Sequence, residues 1–268
     1  MHVGSYYDYE SSLRHIHDNV ISDNGGVGVS LSNFSGSPVI MTNNTILRNT
    51  ALNNAGMMIN NLDAASSINA NTILDNINTG SVDLRAIYIE YTTLGSPLIN
   101  NNNISGSNGY ALYNNNAQGA PNIDARYNWW GTTSSAQISA LIYDWFDNSD
   151  KGIVTFSPYL EAHNLAAPIS PPGEFTVTTT TTAFDLSWAA NPEADLAGYM
   201  VYYDTDSEYP YTGSGADQGD SPIDVGDDTE LALTGLEEGT QYTFTVTAYD
   251  ADADGSGDQT GGNARQQQ

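Results

Sequence analysis

Short apolar segments recur through the first half of the chain, separated by asparagine and glycine. The clearest copies occupy residues 19–24, 44–49 and 71–76, and residues 102–108 read as a version one residue longer. Each copy has an isoleucine two residues after its first asparagine, so both side chains should face the same side of a strand. The copies return after 25, 27 and 31 residues, a period typical of a solenoid of stacked units.

Two further apolar segments accompany each copy. One has small-apolar-x-apolar spacing, and the other follows a turn rich in glycine and proline, which favours a sharp change of chain direction. Three short strands per coil predict a parallel β-helix. A leucine-rich repeat would need several leucines at fixed offsets, which this sequence lacks.

The recurring asparagines at positions 19, 44, 71 and 102 predict a column inside the solenoid. Successive coils lie about 4.8 Å apart, so aligned amides can donate to and accept from one another along the stack. The alternative is an outward track of amides that binds sugars. The exposure of Asn71 distinguishes the two interpretations.

One amphipathic helix is predicted after the repeats. Residues 134–147 place Ile138, Leu141, Ile142 and Trp145 at helical spacing, and a preceding serine can cap the first turn. We expect this helix to cover the end of the coil stack.

Chain composition predicts four regions. Residues 1–163 form the solenoid and the proline-rich residues 164–173 form a semi-rigid linker. Residues 174–254 contain short strands separated by turns, as in a β-sandwich. Residues 255–268 are expected to be a flexible tail.

Both domains resemble known families. The repeats resemble right-handed parallel β-helix proteins of the pectate-lyase-like class, and residues 124–131 are similar to the closing coil of many secreted bacterial members. Residues 186–188, 197–203 and 233–242 resemble a fibronectin type III domain. The second resemblance implies that Trp188 fills the core and that the Tyr242 hydroxyl bonds back to a chain corner. The expected fold is all-β: a right-handed parallel β-helix with a C-terminal capping helix, then a fibronectin type III β-sandwich.

Charge differs between the two parts of the chain. Residues 1–163 carry 13 acidic and 5 basic side chains, residues 164–268 carry 19 and 1, and the net charge is −26. Such a charge disfavours binding to nucleic acid or to anionic membranes and suits a salty or calcium-rich environment. No apolar run is long enough for membrane insertion. The repeats begin near residue 15 without a signal peptide, so we expect a fragment of a longer protein.

A column of charged residues is the first candidate site. Asp23, Arg48 and Asp75 each lie two residues after a repeat isoleucine. In register, the two carboxylates would be about 9–10 Å apart with the arginine between them. That separation is near the upper end for an inverting glycoside hydrolase. The competing interpretation is a solvated ladder that alternates charges.

Two other candidates concern ligands. Asp250, Asp252 and Asp254 begin like a calcium loop, although position twelve is Gly261 instead of glutamate. The alternative is an acidic flexible segment. Trp129 and Trp130 should face opposite sides of a strand, so one is predicted to be buried. The other could stack on a sugar ring or pack against the helix.

These patterns lack a converging acid and base. The leading hypothesis is a non-catalytic fragment of a secreted or cell-surface bacterial protein, acting as a stalk or as a platform that presents carbohydrate or another ligand. The alternatives are a polysaccharide lyase or glycoside hydrolase of the β-helix class, and an adhesin or filament subunit. Expected partners are polysaccharides or other surface proteins, and calcium is the one cofactor that the sequence suggests.

Overall fold

Among the described residues, the regular secondary structure is β apart from one short helix, and the chain divides into two compact units, Met1–Pro168 and Ile169–Gln268. The computed structural model describes residues 2–4, 13–34, 38–62, 64–80, 84–90, 95–208, 210–250 and 264–267.

The first unit is a parallel β-helix of about five coils. Its strands are β1 (His2–Gly4), β2 (Arg14–His17), β3 (Val20–Ser22), β4 (Val29–Phe34), β5 (Val39–Thr42), β6 (Thr45–Leu47), β7 (Thr50–Ala51), β8 (Asn54–Leu62), β9 (Ser67–Asn69), β10 (Thr72–Leu74), β11 (Ile77–Asn78), β12 (Arg85–Glu90), β13 (Leu98–Asn100), β14 (Asn103–Ser105), β15 (Tyr110–Asn114), β16 (Ile123–Asp124), β17 (Ile142–Tyr143) and β18 (Val154–Thr155).

Three parallel sheets run along the solenoid axis. The first sheet joins β1, β4, β8, β12, β15 and β17, and the second joins β2, β5, β9, β13, β16 and β18. The third joins β3, β6, β10 and β14, while β7 and β11 form a short additional pair. Four successive coils add one strand to each of these sheets, so equivalent residues lie one above another.

The predicted file of isoleucines is confirmed. Ile21, Ile46, Ile73 and Ile104 are aligned partners in successive strands of the third sheet, and all four are buried in one apolar core. Burying each such side chain contributes roughly 1.5–3 kcal/mol. The repeat thus produces one continuous core along the coil stack.

The predicted amide column is also confirmed. The side-chain amide of Asn44 donates to Asn71 Oδ1 at 2.9 Å, and that of Asn71 donates to Asn102 Oδ1 at 3.0 Å. The column continues from Asn102 to Asn128, and Asn19 precedes it. Asn71 is 0% exposed, which excludes the outward sugar-binding track at this column.

A second asparagine column lies at the other end of the third-sheet strands. Asn24 donates to Asn49 Oδ1 at 2.8 Å, and Asn49 donates to Asn76 Oδ1 at 2.9 Å. The residue before each ladder asparagine has a left-handed backbone; for example, Ala70 has φ 52° and Asp75 has φ 51°. Two left-handed corners per coil therefore direct asparagines into the interior.

The predicted capping helix is shorter than expected. Helix α1 spans Ser135–Ala140, with the Ser134 side chain accepting a hydrogen bond from Gln137 N–H. The expectation of helix through residue 147 was wrong because residues 142 and 143 pair with β15 in the first sheet. Ile138 joins the core, as predicted, whereas Trp145 is partly exposed and Phe146 is 75% exposed.

The segment predicted as a linker is bonded within both units. In the first unit, Asn164 N–H donates to Asn103 Oδ1 at 2.7 Å, and Asn103 Nδ2 donates back to the Asn164 carbonyl at 3.1 Å. In the second unit, Ser170 N–H donates to the buried Glu193 carboxylate at 2.8 Å. These contacts fix much of residues 164–170 against neighbouring structure.

The second unit is an antiparallel sandwich. Its strands are β19 (Gly173–Thr179), β20 (Ala183–Ala189), β21 (Leu196–Asp204), β22 (Ile223–Gly226), β23 (Glu230–Thr234), β24 (Thr243–Asp250) and β25 (Ala264–Gln267). One sheet has the order β19-β20-β23 and the other β22-β21-β24-β25. The tail predicted for residues 255–268 was wrong at residues 264–267, because these pair with β24 and complete the sheet.

The roles implied for Trp188 and Tyr242 in the sandwich are confirmed. Trp188 is 5% exposed and lies in the core with Tyr199 and Phe244. The Tyr242 hydroxyl accepts a hydrogen bond from Glu237 N–H at 3.2 Å. This bond fixes the corner that leads into β24.

Candidate functional site

The predicted charge column occupies equivalent corners of three successive coils. Asp23, Arg48 and Asp75 all have left-handed backbones, with φ between 49° and 56°. Arg48 Nε and Nη2 lie 3.2 and 3.3 Å from the two carboxylate oxygens of Asp23. The geometry is that of a paired ladder at the turns, and a catalytic role for these residues stays a prediction.

The predicted tryptophan pair faces two sides of its strand. Trp130 is 1% exposed and belongs to the core, so its ring has no free face for a sugar. Trp129 is half-buried, and its ring centroid lies 5.4 Å from that of His163. His163 therefore lies close to the more exposed of the two rings.

The predicted calcium loop is described only at its start. Asp250 ends β24 and is 8% exposed, whereas Asp252 and Asp254 lie outside the described residues. Within the described part of the chain, no group of three or more histidine, cysteine, aspartate or glutamate side chains is placed to hold a metal ion. Calcium binding by the loop stays a prediction.

A cluster of tyrosines lies on the outer side of the first sheet. Tyr88, Tyr113 and Tyr143 are aligned partners in β12, β15 and β17. The rings of Tyr113 and Tyr143 stack with centroids 4.2 Å apart and planes 9° apart, and Tyr110 meets Tyr143 edge-on at 5.3 Å. We call these four tyrosines, together with Arg85, the tyrosine face.

The Arg85 guanidinium is held over this cluster. Its central carbon lies 4.3 Å from the Tyr88 ring centroid and 4.5 Å from that of Tyr113. A cation over an aromatic face gains about 0.5–2 kcal/mol, depending on its desolvation. Arg85 therefore places a positive charge beside the aromatic rings and restricts their motion.

A chain of hydrogen bonds borders the tyrosine face. Asn60 Nδ2 donates to Glu90 Oε1 at 3.1 Å, and the Tyr88 hydroxyl donates to Glu90 Oε2 at 2.7 Å. Asn115 Nδ2 donates to the same hydroxyl at 2.6 Å, and Lys151 Nζ donates to Asn115 Oδ1. The chain links side chains from four coils and holds the lysine ammonium near the aromatic cluster.

The burial and the hydrogen bonds of Tyr88 determine the direction in which its pKa shifts. Burial, followed by the hydrogen bond to Glu90, raises the pKa of Tyr88 to about 12. Its hydroxyl therefore stays protonated near neutral pH and donates to the Glu90 carboxylate. Glu90 accepts from both Tyr88 and Asn60, an arrangement that suits a fixed polar border better than a mobile general base.

Two rings of the tyrosine face are accessible. Tyr110 and Tyr143 are half-buried, so part of each ring is accessible, while Tyr88 and Tyr113 are 9% and 7% exposed and support them. Rigid aromatic rings with hydroxyl groups bind the apolar faces of partly polar ligands. Arg85 adds positive charge for an acidic group.

Sequence reasoning missed this face although a signal was present. The pairs Ile87-Tyr88, Leu112-Tyr113 and Ile142-Tyr143 each place a tyrosine after a core aliphatic residue. Because Ile142 has helical spacing, the third pair was predicted to be part of a helix and was not aligned with the other two. Aligning the three pairs as strands predicts the column directly.

Together, these observations define an all-β protein in which a parallel β-helix with an outer tyrosine face precedes an antiparallel sandwich. Residues 170–260 match the fibronectin type III domain family, so the sandwich is a fibronectin type III domain. No curated protein sequence matches the chain. Among the described residues, no helix is long and apolar enough to cross a membrane.

Proposed function

We propose that this chain is a non-catalytic module of an extracellular or cell-surface protein. In this proposal the solenoid binds carbohydrate at the tyrosine face, and the fibronectin type III domain acts as a spacer. Fibronectin type III domains are common in extracellular and structural proteins, which supports the location. The proposal extends to a secreted bacterial origin and to membership of the solenoid in the pectate-lyase-like class, whose fold serves both binding and catalysis.

The tyrosine face is the observation that carries the proposal. Tyr110 and Tyr143 offer two partly accessible rings at a 64° angle, 5.3 Å apart. Parallel stacking of Tyr143 on Tyr113 fixes one of these rings before any ligand arrives. A preorganised surface loses little conformational entropy on binding, which favours recognition of weakly binding units such as sugar rings.

Charge narrows the ligand class to polysaccharides that carry acidic groups. Arg85 and Lys151 are two of the five basic residues among residues 1–163. Arg85 lies over the rings, and Lys151 is linked to the Tyr88 hydroxyl through Asn115. With the Glu90 carboxylate bonded to the same hydroxyl, these three groups carry a net charge of +1. The whole chain carries −26, so local positive charge at this face can attract a carboxylate or sulfate while the rest of the molecule repels it. Binding should weaken as salt screens this attraction.

Calorimetric titration with matched neutral and acidic oligosaccharides tests the proposal. We expect Tyr143→Ala to weaken binding of the acidic oligosaccharide by about tenfold, which corresponds to about 1.4 kcal/mol. Arg85→Gln should weaken the acidic ligand more than the neutral one. The matched control is Tyr127→Ala, which removes a 44% exposed tyrosine from a left-handed corner where the coil two before it has Ala70.

Two outcomes would contradict the proposal. Equal losses of affinity for Tyr143→Ala and Tyr127→Ala would show that the oligosaccharide binds surface tyrosines in general and not the tyrosine face. Release of reducing or unsaturated ends from an acidic polysaccharide, abolished by Arg48→Ala, would establish catalysis at the charge column instead.

A further inference from the structure

Two asparagines in this chain are followed by glycine, Asn24 and Asn108. In such pairs the glycine nitrogen can attack the asparagine side-chain carbon, because no Cβ obstructs its approach. A carbon–nitrogen bond to the backbone forms, the bond to Nδ2 breaks, and ammonia leaves. Water then opens the cyclic imide to aspartate or isoaspartate. The reaction consumes one water molecule, needs no other co-reactant and requires local freedom of the backbone.

Asn24 lies at an exposed corner with open space around the glycine that follows it. Both Asn24 and Gly25 are exposed, and a Cβ built on Gly25 or Gly26 would meet no atom within 4 Å. Among the described residues, one side-chain bond restrains the Asn24 amide, the donation from Nδ2 to Asn49 Oδ1 at 2.8 Å. The Asn24 backbone is also bonded to the next coil, through its N–H to Asn49 Oδ1 at 3.2 Å and through its carbonyl to Thr50 N–H at 2.8 Å. The reacting carbon can therefore approach the glycine nitrogen once these few bonds open at an exposed corner, where nothing crowds Gly25.

Asn108 is held at both ends of its amide. Its Oδ1 accepts from Asn78 N–H at 2.7 Å, and its Nδ2 donates to the Asn78 carbonyl at 2.9 Å. Gly109 has φ 83°, and a Cβ on it would lie 2.3 Å from the Leu84 carbonyl oxygen. The backbone at this second pair is fixed between coils, so the same two residue types cannot reach the cyclic geometry without local unfolding.

We infer that Asn24 is a site of spontaneous deamidation in the folded protein and that Asn108 is protected. The modification removes a rung of the second asparagine column. An aspartate at position 24 has no Nδ2 donor, so a carboxylate oxygen faces Asn49 Oδ1 in its place. An isoaspartate also lengthens the backbone next to the Asn24 carbonyl, which accepts from Thr50 N–H at 2.8 Å. Both products loosen the bonding between the first two coils.

Peptide mapping by mass spectrometry of the intact, folded chain tests this inference after incubation at mildly alkaline pH. Deamidation raises the mass of the peptide concerned by about 1 Da. We expect the Asn24 peptide to convert at least ~10-fold faster than the Asn108 peptide, because reaction at Asn108 requires local opening. Gly25→Ala should slow conversion at position 24, and no positive φ at Gly25 opposes this substitution.

The same incubation in urea provides the internal control, since both pairs should react at similar rates when unfolded. Similar rates in the folded chain, or an Asn24 that reacts in urea and resists in the folded state, would overturn the inference. The Asn24→Asp variant measures the consequence. Its thermal midpoint should fall by about 2–4 °C, and an unchanged midpoint would exclude the proposed loss of a rung.

Discussion

The solenoid and the sandwich are both β structures, but they bury different groups. Residues 1–163 contain 25 asparagines and residues 164–268 contain 3, and Asn44, Asn71 and Asn102 are 0% exposed in the solenoid. The core of the sandwich is instead formed largely by aromatic and aliphatic side chains such as Trp188 and Tyr203. Buried columns of asparagine are thus a property of the solenoid geometry, because the polar groups that the sandwich buries, such as Glu193 and Thr245, are of other types.

The difference follows from strand register. In the solenoid, equivalent residues of successive parallel strands are neighbours, so an amide that donates upward is met by the oxygen of an identical amide. In the antiparallel sandwich, no repeat places one residue type in a file across the strands; for example, Met200 pairs with Thr247. Amides there would lack such partners, and an unpaired buried amide costs about 1–3 kcal/mol.

Asn71→Ala should cause the largest loss of stability. Asn71 Oδ1 accepts from Asn44 N–H and Nδ2, and its own amide donates to Met41 and Asn102. Removing it leaves several buried groups without partners, so we expect a loss of about 3–5 kcal/mol in the free energy of unfolding. Urea denaturation followed by circular dichroism measures this loss.

The matched control for that change is Asn69→Ala. Asn69 lies two residues earlier and is half-buried, and its backbone carbonyl, which accepts from Asn71, is retained in alanine. We expect a change within about 0.5 kcal/mol. A loss at Asn71 no larger than that at Asn69 would show that the amide column contributes nothing specific to stability.

Tyr242→Phe tests the corresponding polar contact in the sandwich, with a smaller effect. The change removes one hydrogen bond, from Glu237 N–H to the hydroxyl, and keeps the ring beside Phe184 and Phe244. We expect a loss of about 0.5–1.5 kcal/mol, the usual net value of one bond. Thermal unfolding of the variant checks this value, beside Tyr249→Phe, which removes an exposed side-chain bond to Asp224 instead of a bond to the backbone.

The relative size of these two losses decides whether the units differ. If Tyr242→Phe cost as much as Asn71→Ala, the solenoid would not differ from the sandwich in how strongly its stability depends on side-chain hydrogen bonds. A loss for Tyr242→Phe several times smaller than that for Asn71→Ala would show that the asparagine column contributes more to stability than the single corner hydrogen bond.

Much of the solenoid could be predicted because its signals are local and repeated. The isoleucine file and the first amide column follow from the spacing of residues 44–49 and 71–76, which the coil register then aligns. The fibronectin type III sandwich follows in the same way from Trp188 and Tyr242. In each case, the position of one residue type in the sequence predicts which residue it contacts in the fold.

Other features depend on contacts that no local pattern contains. The copy at residues 102–108 reads as one residue longer, yet Ser107 Oγ accepts from Asn76 N–H at 3.1 Å where a ladder asparagine would stand. Asn108 instead bonds to Asn78. Residues 142 and 143 have helical spacing but form a strand because β15 offers an open edge. The conformation and the bonding partners of these residues depend on which coil lies beside them.

The smallest expected effect concerns an ion pair on the outside of the second sheet. Arg126 Nε and Nη2 donate to the Asp124 carboxylate at 2.9 and 2.6 Å, and Asn100 from the preceding coil donates to it at 3.1 Å. The hydrogen bond from Arg126 is the main cause that lowers the pKa of Asp124 to about 2, against an ordinary value of about 3.9.

This depressed pKa predicts a pH dependence with a definite sign. The folded state binds the proton of Asp124 more weakly than the unfolded state, so the stabilisation is fully present above about pH 4 and is lost as pH falls toward about 2. Asp124→Asn should flatten the acid-induced loss of unfolding free energy in this window, measured as the difference from the unaltered chain. Asp185→Asn, at an exposed carboxylate of the sandwich, is the control. An equal flattening by both changes would mean that the Asp124–Arg126 pair contributes no more than general acid titration.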